Sequence, residues 1–323
     1  MALAGKVKTA LDETRTLILG SQILLGFQCQ GAFRERFDEL PWVSRQMSAI
    51  AFMLMLLTLA LLIAPSAFHR IAEGGHSTTR MHRLTGSFAA LALLPFAIAL
   101  GLDLTLTLEQ AWGSQTAGIA AGFLFTCTAA TGWYGAGYHM RRRYGIIQRD
   151  RAMAEADRRE QAPLHMRIDQ MLTECRVILP GAQALLGFQL VIVLSDTFDK
   201  LPADSRLIHG LALLAIALTV VLLITPAALH RIIWAGEESE ELLRLGGNIT
   251  IFALLTLACG MAADAYVVLA KITGMTTGAA IASGVVLLVL LGFWYVWPFT
   301  DRLLRQRPNE AAPTSTRGEP IQG

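Results

Sequence analysis

Charged residues are scarce in this chain of 323 residues, since Asp, Glu, Lys and Arg together make up 16% of it. Soluble domains carry about 25%. Hydrophobic residues make up 54%, and the mean hydropathy is +0.48. The composition therefore excludes an ordinary soluble domain and predicts an all-α integral membrane protein.

Cysteine and the common catalytic motifs are also scarce or absent. The four cysteines form neither a CxxC nor a CxxCH motif, which excludes a disulfide framework, a cysteine zinc site and covalent haem. No Walker A loop, HExxH motif, nucleophile elbow or Gly-rich dinucleotide turn occurs, which argues against an ATP-driven pump and the familiar soluble enzymes. We expect no cofactor, no bound metal and no nucleic-acid partner.

Long apolar runs are what the sequence has in abundance. Runs of about 18 to 25 residues, long enough to cross the hydrocarbon core, occur at 16–33, 46–68, 85–107, 115–138, 177–194, 207–229, 246–270 and 277–298. We predict eight transmembrane helices. Gln22, Gln28 and Gln30 make the first span weak, and the fifth is weak too, so a re-entrant or interfacial helix is the alternative for both.

The distribution of positive charge predicts the orientation. With the N-terminus inside, the inner segments carry 21 of the 27 Lys and Arg residues, and the positive-inside rule then places both termini in the cytosol. The N-terminus lacks the apolar stretch and cleavage site of a signal peptide, so we expect none.

The chain divides into two similar units. ETRTLILGSQILLGFQ (13–28) and ECRVILPGAQALLGFQ (174–189) match without a gap, and the same offset of 161 residues relates further polar positions as far as Arg141 and Arg302. This periodicity indicates a tandem duplication. We predict a four-helix repeat at 1–141, a charged cytosolic linker at 142–168, a second repeat at 169–305 and a disordered tail at 306–323.

The duplication also predicts symmetry. Because each unit has an even number of spans, both insert with the same orientation, and a pseudo-two-fold axis along the membrane normal is expected. A single-copy relative would be a homodimer, and a homo-oligomer of the present chain is a further expectation. The helical, partly basic linker could also contact anionic lipid headgroups.

The repeated motifs resemble those of a known family. E-x-R, G-x-Q, F-D-x-L-P and P-x-x-x-H-R, at 13–141 and again at 174–302, resemble an uncharacterised family of small four-helix bacterial membrane proteins, some of which are labelled sodium:proton antiporters. The resemblance implies a bacterial inner membrane, ion transport, and protons and monovalent cations as partners.

The repeated charged residues are the candidates for transport or gating, and their depth places them at the two membrane boundaries. A cluster per copy is expected at the inner boundary, formed by Glu13, Arg15, His69, Arg70 and Arg83 and by Glu174, Arg176, His230, Arg231 and Arg244. Near the outer boundary, Asp103 is expected within reach of Arg45, and Asp264 within reach of Arg206. The clusters either fix helix packing through ion pairs and caps or form gates around a transport path.

Glutamine is the main polar residue predicted at middle depth, at Gln22, Gln28, Gln183 and Gln189. Glutamine side chains in lipid must face protein or a cavity, so these either join helices by hydrogen bonds or line a narrow polar pore. The lack of a carboxylate at this depth argues against a carboxylate-centred cation exchanger.

Three functions remain open: a small-ion transporter, a non-catalytic accessory or envelope-stress protein, and a lipid-acting enzyme with His69 or His230 as acid or base. Non-covalent haem would require His209 or the boundary histidines to face one another, and His209 matches Ser48 in the first repeat. We therefore expect no haem, and a non-enzymatic role.

Overall fold

The computed structural model describes residues 3–76, 78–136 and 163–306, and for residues 3–13 it describes the backbone alone. The first unit contains α1 (Leu3–Ala32), the short α2 (Glu35–Asp38), α3 (Trp42–Ile71), α4 (Thr79–Trp112) and α5 (Gln115–Ala130), which continues into π-helical Thr131–Ala136. No strand occurs in these ranges. An all-helical fold was predicted from composition and is confirmed.

The second unit repeats this order of elements. It contains α6 (Leu164–Ile192), the short α7 (Asp196–Asp199), α8 (Ala203–Ile232), α9 (Glu240–Thr273) and α10 (Thr276–Leu291), then π-helical Gly292–Val296 and α11 (Trp297–Gln306). The bounds of α7 to α10 are those of α2 to α5 displaced by 161 residues. The linker predicted at 142–168 lies largely outside the described residues, its last five residues belong to α6, and the predicted tail lies outside apart from Gln306.

Six helical segments of the described chain are long and apolar enough to cross a membrane: Trp42–Ile71, Arg83–Trp112, Leu164–Ile192, Ala203–Ile232, Glu240–Thr273 and Thr276–Arg305. The first and fourth predicted spans lie in α1 and α5, which are not among these six. Polar glutamines dilute α1, and α5 has only 16 residues before its π-helical turn.

Local sequence explains where the long helices begin and end. Pro41 and Pro202 precede α3 and α8, since proline lacks the N–H that a first helical turn would leave unpaired. Thr78 and Ser239 cap α4 and α9 with their hydroxyl groups. Both helices end in a left-handed glycine, Gly113 at φ +63° and Gly274 at φ +70°.

The core lies where the two units meet. Helix α1 packs along α6, and α3 packs against α9. In the most apolar segments of α3 and α9, 72% and 67% of the residues are buried, against 28% in α8. The helices α3 and α9 therefore occupy the centre of the described molecule.

The two halves pack unequally. Trp294 is fully buried and donates a hydrogen bond to the Ala60 carbonyl at 2.9 Å, whereas its counterpart Trp133 is 39% exposed. Beyond Trp294, Trp297 packs on the rings of Phe68 and Phe88 in the first unit. The second unit has Leu229 and Ile249 at those two positions, so the aromatic contact has no equivalent across the repeat.

Candidate functional site

A buried charged cluster joins the two repeats. Arg70 donates from Nε to Glu174 Oε2 at 3.0 Å, and His69 Nδ1 makes a short contact with Glu174 Oε1. His69 and Glu174 are fully buried, and Arg70 is 7% exposed. Each charge in this cluster depends on the others, because an uncompensated buried ion costs several kcal/mol.

The end of α3 positions the two cationic residues. His69 and Arg70 lie in its last turn, and the Gly75 N–H caps the His69 carbonyl at 3.0 Å. A Cβ atom at Gly75 would lie 3.2 Å from Arg70 Nη1, and one at Gly247 of α9 would lie 3.1 Å from Arg70 Cδ. Two glycines, one from each repeat, thus form a slot for the Arg70 side chain.

The prediction of a separate cluster within each copy is wrong for these residues. Glu174 belongs to the second repeat, whereas His69 and Arg70 belong to the first. Helices α1 and α6 pack together, and this brings the start of α6 to the end of α3. Sequence spacing places residues at a depth but does not identify the helix that each one faces.

The corresponding His-Arg pair of the second repeat, His230 and Arg231, is not bound by a carboxylate within the described residues. His230 is half-buried, and its Nε2 atom has no hydrogen-bond partner. The other predicted boundary arginines are exposed, namely Arg15, Arg83, Arg176, Arg231 and Arg244. The side chain of Glu13, the counterpart of Glu174, lies outside the described part.

At the opposite end, each aspartate bonds to a glutamine of its own repeat. Gln28 donates to Asp103 at 2.8 Å, and Gln189 donates to Asp264 at 2.7 Å. Asp103 was expected within reach of Arg45, but no ion pair joins the two within the described residues: Gln28 donates to Asp103, and the Arg45 Nε atom is buried without a partner. Asp264 likewise contacts Gln189 rather than Arg206.

A histidine distinguishes the second aspartate site. His209 Nδ1 lies 3.8 Å from Asp264 Oδ1, and its Nε2 lies 3.2 Å from the Gln189 carbonyl. His209 is 2% exposed and Asp264 is 8% exposed. A cavity of about 10 Å³, bordered by Cys29 and Phe188, adjoins this group, and such a volume is near the minimum for one water molecule.

Buried hydroxyl groups continue along α9 between the two charged sites. Thr250 lies 3.3 Å from the Cys175 sulfur, next to Glu174, and Thr256 lies 2.7 Å from the Thr219 hydroxyl. The first repeat has Ala89 and Pro95 where the second has Thr250 and Thr256. Sequence reasoning followed what the repeats share and so missed Thr250 and Thr256, and it considered His209 only as a haem ligand; a search for polar residues present in one copy only would have found Thr250 and Thr256.

The glutamines predicted at middle depth differ in their burial. Gln22 is fully buried with both amide atoms unpaired, and it packs against Gly181 of α6. Gln189 is also buried, and Gln28 is partly buried. Gln183 is exposed, whereas its counterpart Gln22 is buried.

The described part of the chain contains no group of three or more His, Cys, Asp or Glu residues that could hold a metal ion.

The turn after α3 adds one more titratable group near the cluster: burial raises the pKa of Glu73, while the nearby Arg80 opposes the rise.

Comparison with known proteins gives one family and no individual relative. The profile described as "Family of unknown function (DUF6328)" matches the chain twice, at residues 3–136 and 158–298. No curated protein and no solved structure matches the chain.

Proposed function

Since the chain belongs to the DUF6328 family, whose function is unknown, we propose from geometry that it is a proton-coupled transporter of a small monovalent cation. The protein would lie in a bacterial inner membrane with both termini in the cytosol. Its eight helices would span the membrane as two repeats about a pseudo-two-fold axis. The proposal assigns no catalytic step and no cofactor.

The observation that carries the proposal is a pair of buried ionisable groups at opposite ends of α9. Asp264 lies in α9 itself, and Glu174 and Arg70 meet beside Gly247 of the same helix. Gly247 and Asp264 are 17 residues apart, about 25 Å along a helix. Ionisable side chains within membrane helices are costly and usually mark ion or proton pathways.

The second repeat also provides polar groups between these ends. The hydroxyls of Thr250, Thr256 and Thr219 are buried at intermediate positions. Helix rise separates Gly247, Thr250, Thr256 and Asp264 by steps of about 5 to 12 Å, so continuous conduction requires intervening water or helix movement. A path closed at rest and opened by movement is what a coupled transporter needs.

Histidine beside each carboxylate favours protons as the coupling ion. His209 adjoins Asp264, and His69 adjoins Glu174. Histidine is the side chain that changes charge most readily near neutral pH. In this proposal, the His69–Arg70–Glu174 cluster is the gate at one end, and Asp264 with His209 is the protonation site at the other.

The test is flux in proteoliposomes that hold a pH gradient and a pH-sensitive dye, with sodium or potassium added outside. We expect a cation-dependent collapse of the gradient. Asp264→Asn should abolish it, whereas the matched variant Asp103→Asn, whose aspartate has the same glutamine contact without the histidine, should retain most of it. A gradient that survives every cation in the wild-type protein would refute the proposal.

A non-catalytic accessory protein is the second candidate, because the Glu174 carboxylate is already fully engaged by His69 and Arg70. In that case the cluster only holds the repeats together, and Glu174→Gln lowers stability in a protein without flux. For a lipid-acting enzyme, the fully buried His69 has no access to a lipid headgroup, which leaves the half-buried His230 as the acid or base.

A further inference from the structure

A pocket of about 770 Å³ lies between α6 and the end of α8, outside the proposed transport path. Arg176, His230 and Arg231 contribute to its lining, together with the apolar side chains of Ile168 and Leu172. Both arginines are exposed. The pocket thus combines exposed guanidinium groups with an apolar lining at the end of a membrane helix.

The two arginines of this pocket form no ion pair within the described residues, although Asp169 and Glu238 also line it. Neither Arg176 nor Arg231 makes an ion pair or hydrogen bond there, and the buried His230 Nε2 atom has no partner. In the first repeat, the corresponding His69 and Arg70 are both bound by Glu174. Arg70 and the Nδ1 atom of His69 are therefore paired with a carboxylate in the first repeat, whereas Arg231 has no such partner in the second, and the Nε2 atom is unpartnered in both histidines.

We propose that this pocket binds a phosphate group, held by the guanidinium groups of Arg176 and Arg231. Planar guanidinium groups match the geometry of phosphate oxygens and form strong charge-assisted hydrogen bonds. Asp169 and Glu238 also line the pocket, and Asp169 already has an interaction partner. A lining that contains both arginines and carboxylates favours one compact anion over an extended polyanion, for which a uniformly basic surface is typical.

The phosphate can belong to a phospholipid headgroup or to free inorganic phosphate, and the experiment separates these sources. The purified full chain is titrated with phosphatidylglycerol, with diacylglycerol as the lipid lacking phosphate, and with inorganic phosphate alone, and bound ligand is measured by native mass spectrometry. We expect retention of phosphatidylglycerol, no comparable retention of diacylglycerol, and competition by inorganic phosphate.

The double variant Arg176→Gln/Arg231→Gln should weaken binding by about tenfold or more, because it removes two charge-assisted contacts. Arg244→Gln is the matched control, since Arg244 is an exposed arginine that does not line the pocket. Elution volume in size-exclusion chromatography verifies that each variant is folded.

Binding of inorganic phosphate without phosphatidylglycerol would retain the site and assign it to the free anion. Equal binding of phosphatidylglycerol and diacylglycerol without any inorganic phosphate binding would overturn the proposal. Equal loss in the double variant and in Arg244→Gln would overturn it as well. If the double variant does not fold, the wild-type comparison of the three ligands decides.

Discussion

At the residue scale, the cluster of Glu174, His69 and Arg70 combines two opposing effects. Burial of each charge is unfavourable, and mutual hydrogen bonds offset that cost only while all partners are present. The two glycines beside Arg70 provide the space that its side chain occupies, since an added Cβ at either would lie 3.1 to 3.2 Å from it. Loss of one partner should therefore be much more harmful than the net contribution of the intact cluster suggests.

Glu174→Gln should lower the free energy of unfolding by about 3–5 kcal/mol, because it leaves Arg70 buried without its counter-charge. Glu237→Gln, which neutralises an exposed carboxylate in the turn after α8, should change it by less than about 0.5 kcal/mol. Thermal unfolding in detergent measures both. Equal midpoints for the two variants would contradict a cluster that stabilises the repeat contact.

The turn after α3 should make stability depend on pH. Burial raises the pKa of Glu73 above its ordinary value, so the folded protein binds this proton more tightly than the unfolded chain. The resulting stability is fully present below the unfolded pKa and is lost as pH rises through the folded pKa.

Glu73→Gln should abolish this loss, so the stability of the variant relative to wild type should rise between about pH 4 and pH 7. Unfolding midpoints across that range measure the difference, with Glu237→Gln as the exposed reference. A difference that stays constant or falls with increasing pH would contradict the raised pKa.

At the element scale, α4 and α5 approach each other through glycine, whereas their counterparts α9 and α10 do not. A Cβ atom at Gly122 would lie 2.0 Å from Thr105 Oγ1 and 2.4 Å from the Gly101 carbonyl oxygen. The second repeat has Ser283 at this position, and its hydroxyl donates to the Ala262 carbonyl at 2.6 Å. Small residues allow membrane helices to approach closely. The first repeat has glycine at this contact, whereas the second has a serine that forms a hydrogen bond across it.

Gly122→Ala should destabilise the protein by about 1–3 kcal/mol, because the added methyl group forces α4 and α5 apart. Gly284→Ala is the matched control: no atom lies within 4 Å of its added Cβ, and alanine is the better helix former. The control should be neutral or slightly stabilising in thermal unfolding. A neutral Gly122→Ala would show that the contact relaxes freely.

The approximate positions of the helices were predictable at this scale, because apolar length and proline, serine and glycine signals act locally. Each of the eight predicted spans lies mostly within a helix, but α1 and α6 each begin 13 residues before the predicted span, and neither α1 nor α5 is among the segments long and apolar enough to cross a membrane. The π-helical turns at Thr131–Ala136 and Gly292–Val296 were not predicted. They accompany Tyr134 and Tyr295 hydrogen bonds to carbonyls of the preceding long helix, a tertiary effect without a local sequence signal.

At the scale of the whole molecule, the duplicated sequence folds into unequal halves. The last helices of the second repeat pack onto α3 and α4 of the first through Trp294, Trp297 and the Arg80–Asp301 ion pair. In the first repeat the counterparts of Trp294 and Trp297 are Trp133, which is 39% exposed, and Ala136, and the counterpart of Asp301 lies outside the described ranges.

Trp294→Ala should destabilise the protein by about 3–5 kcal/mol, because it leaves a large cavity and removes the indole hydrogen bond to the Ala60 carbonyl. Trp133→Ala, the same substitution in the first repeat, should cost less than about 1 kcal/mol, since Trp133 is 39% exposed and leaves no closed cavity. Both are measured by thermal unfolding in the same detergent. Equal losses would indicate that the halves are equivalent in solution.

The sequence by itself determined the all-helical, membrane-like class, the approximate positions of the long helices and the repeat, because hydropathy and periodicity depend on neighbours along the chain. Only the tertiary structure decided which side chains meet. Glu174 pairs with His69 and Arg70 across the repeats, Asp103 takes Gln28 instead of Arg45, and His209 joins Asp264. These contacts depend on the rotation and packing of whole helices, which no local pattern specifies.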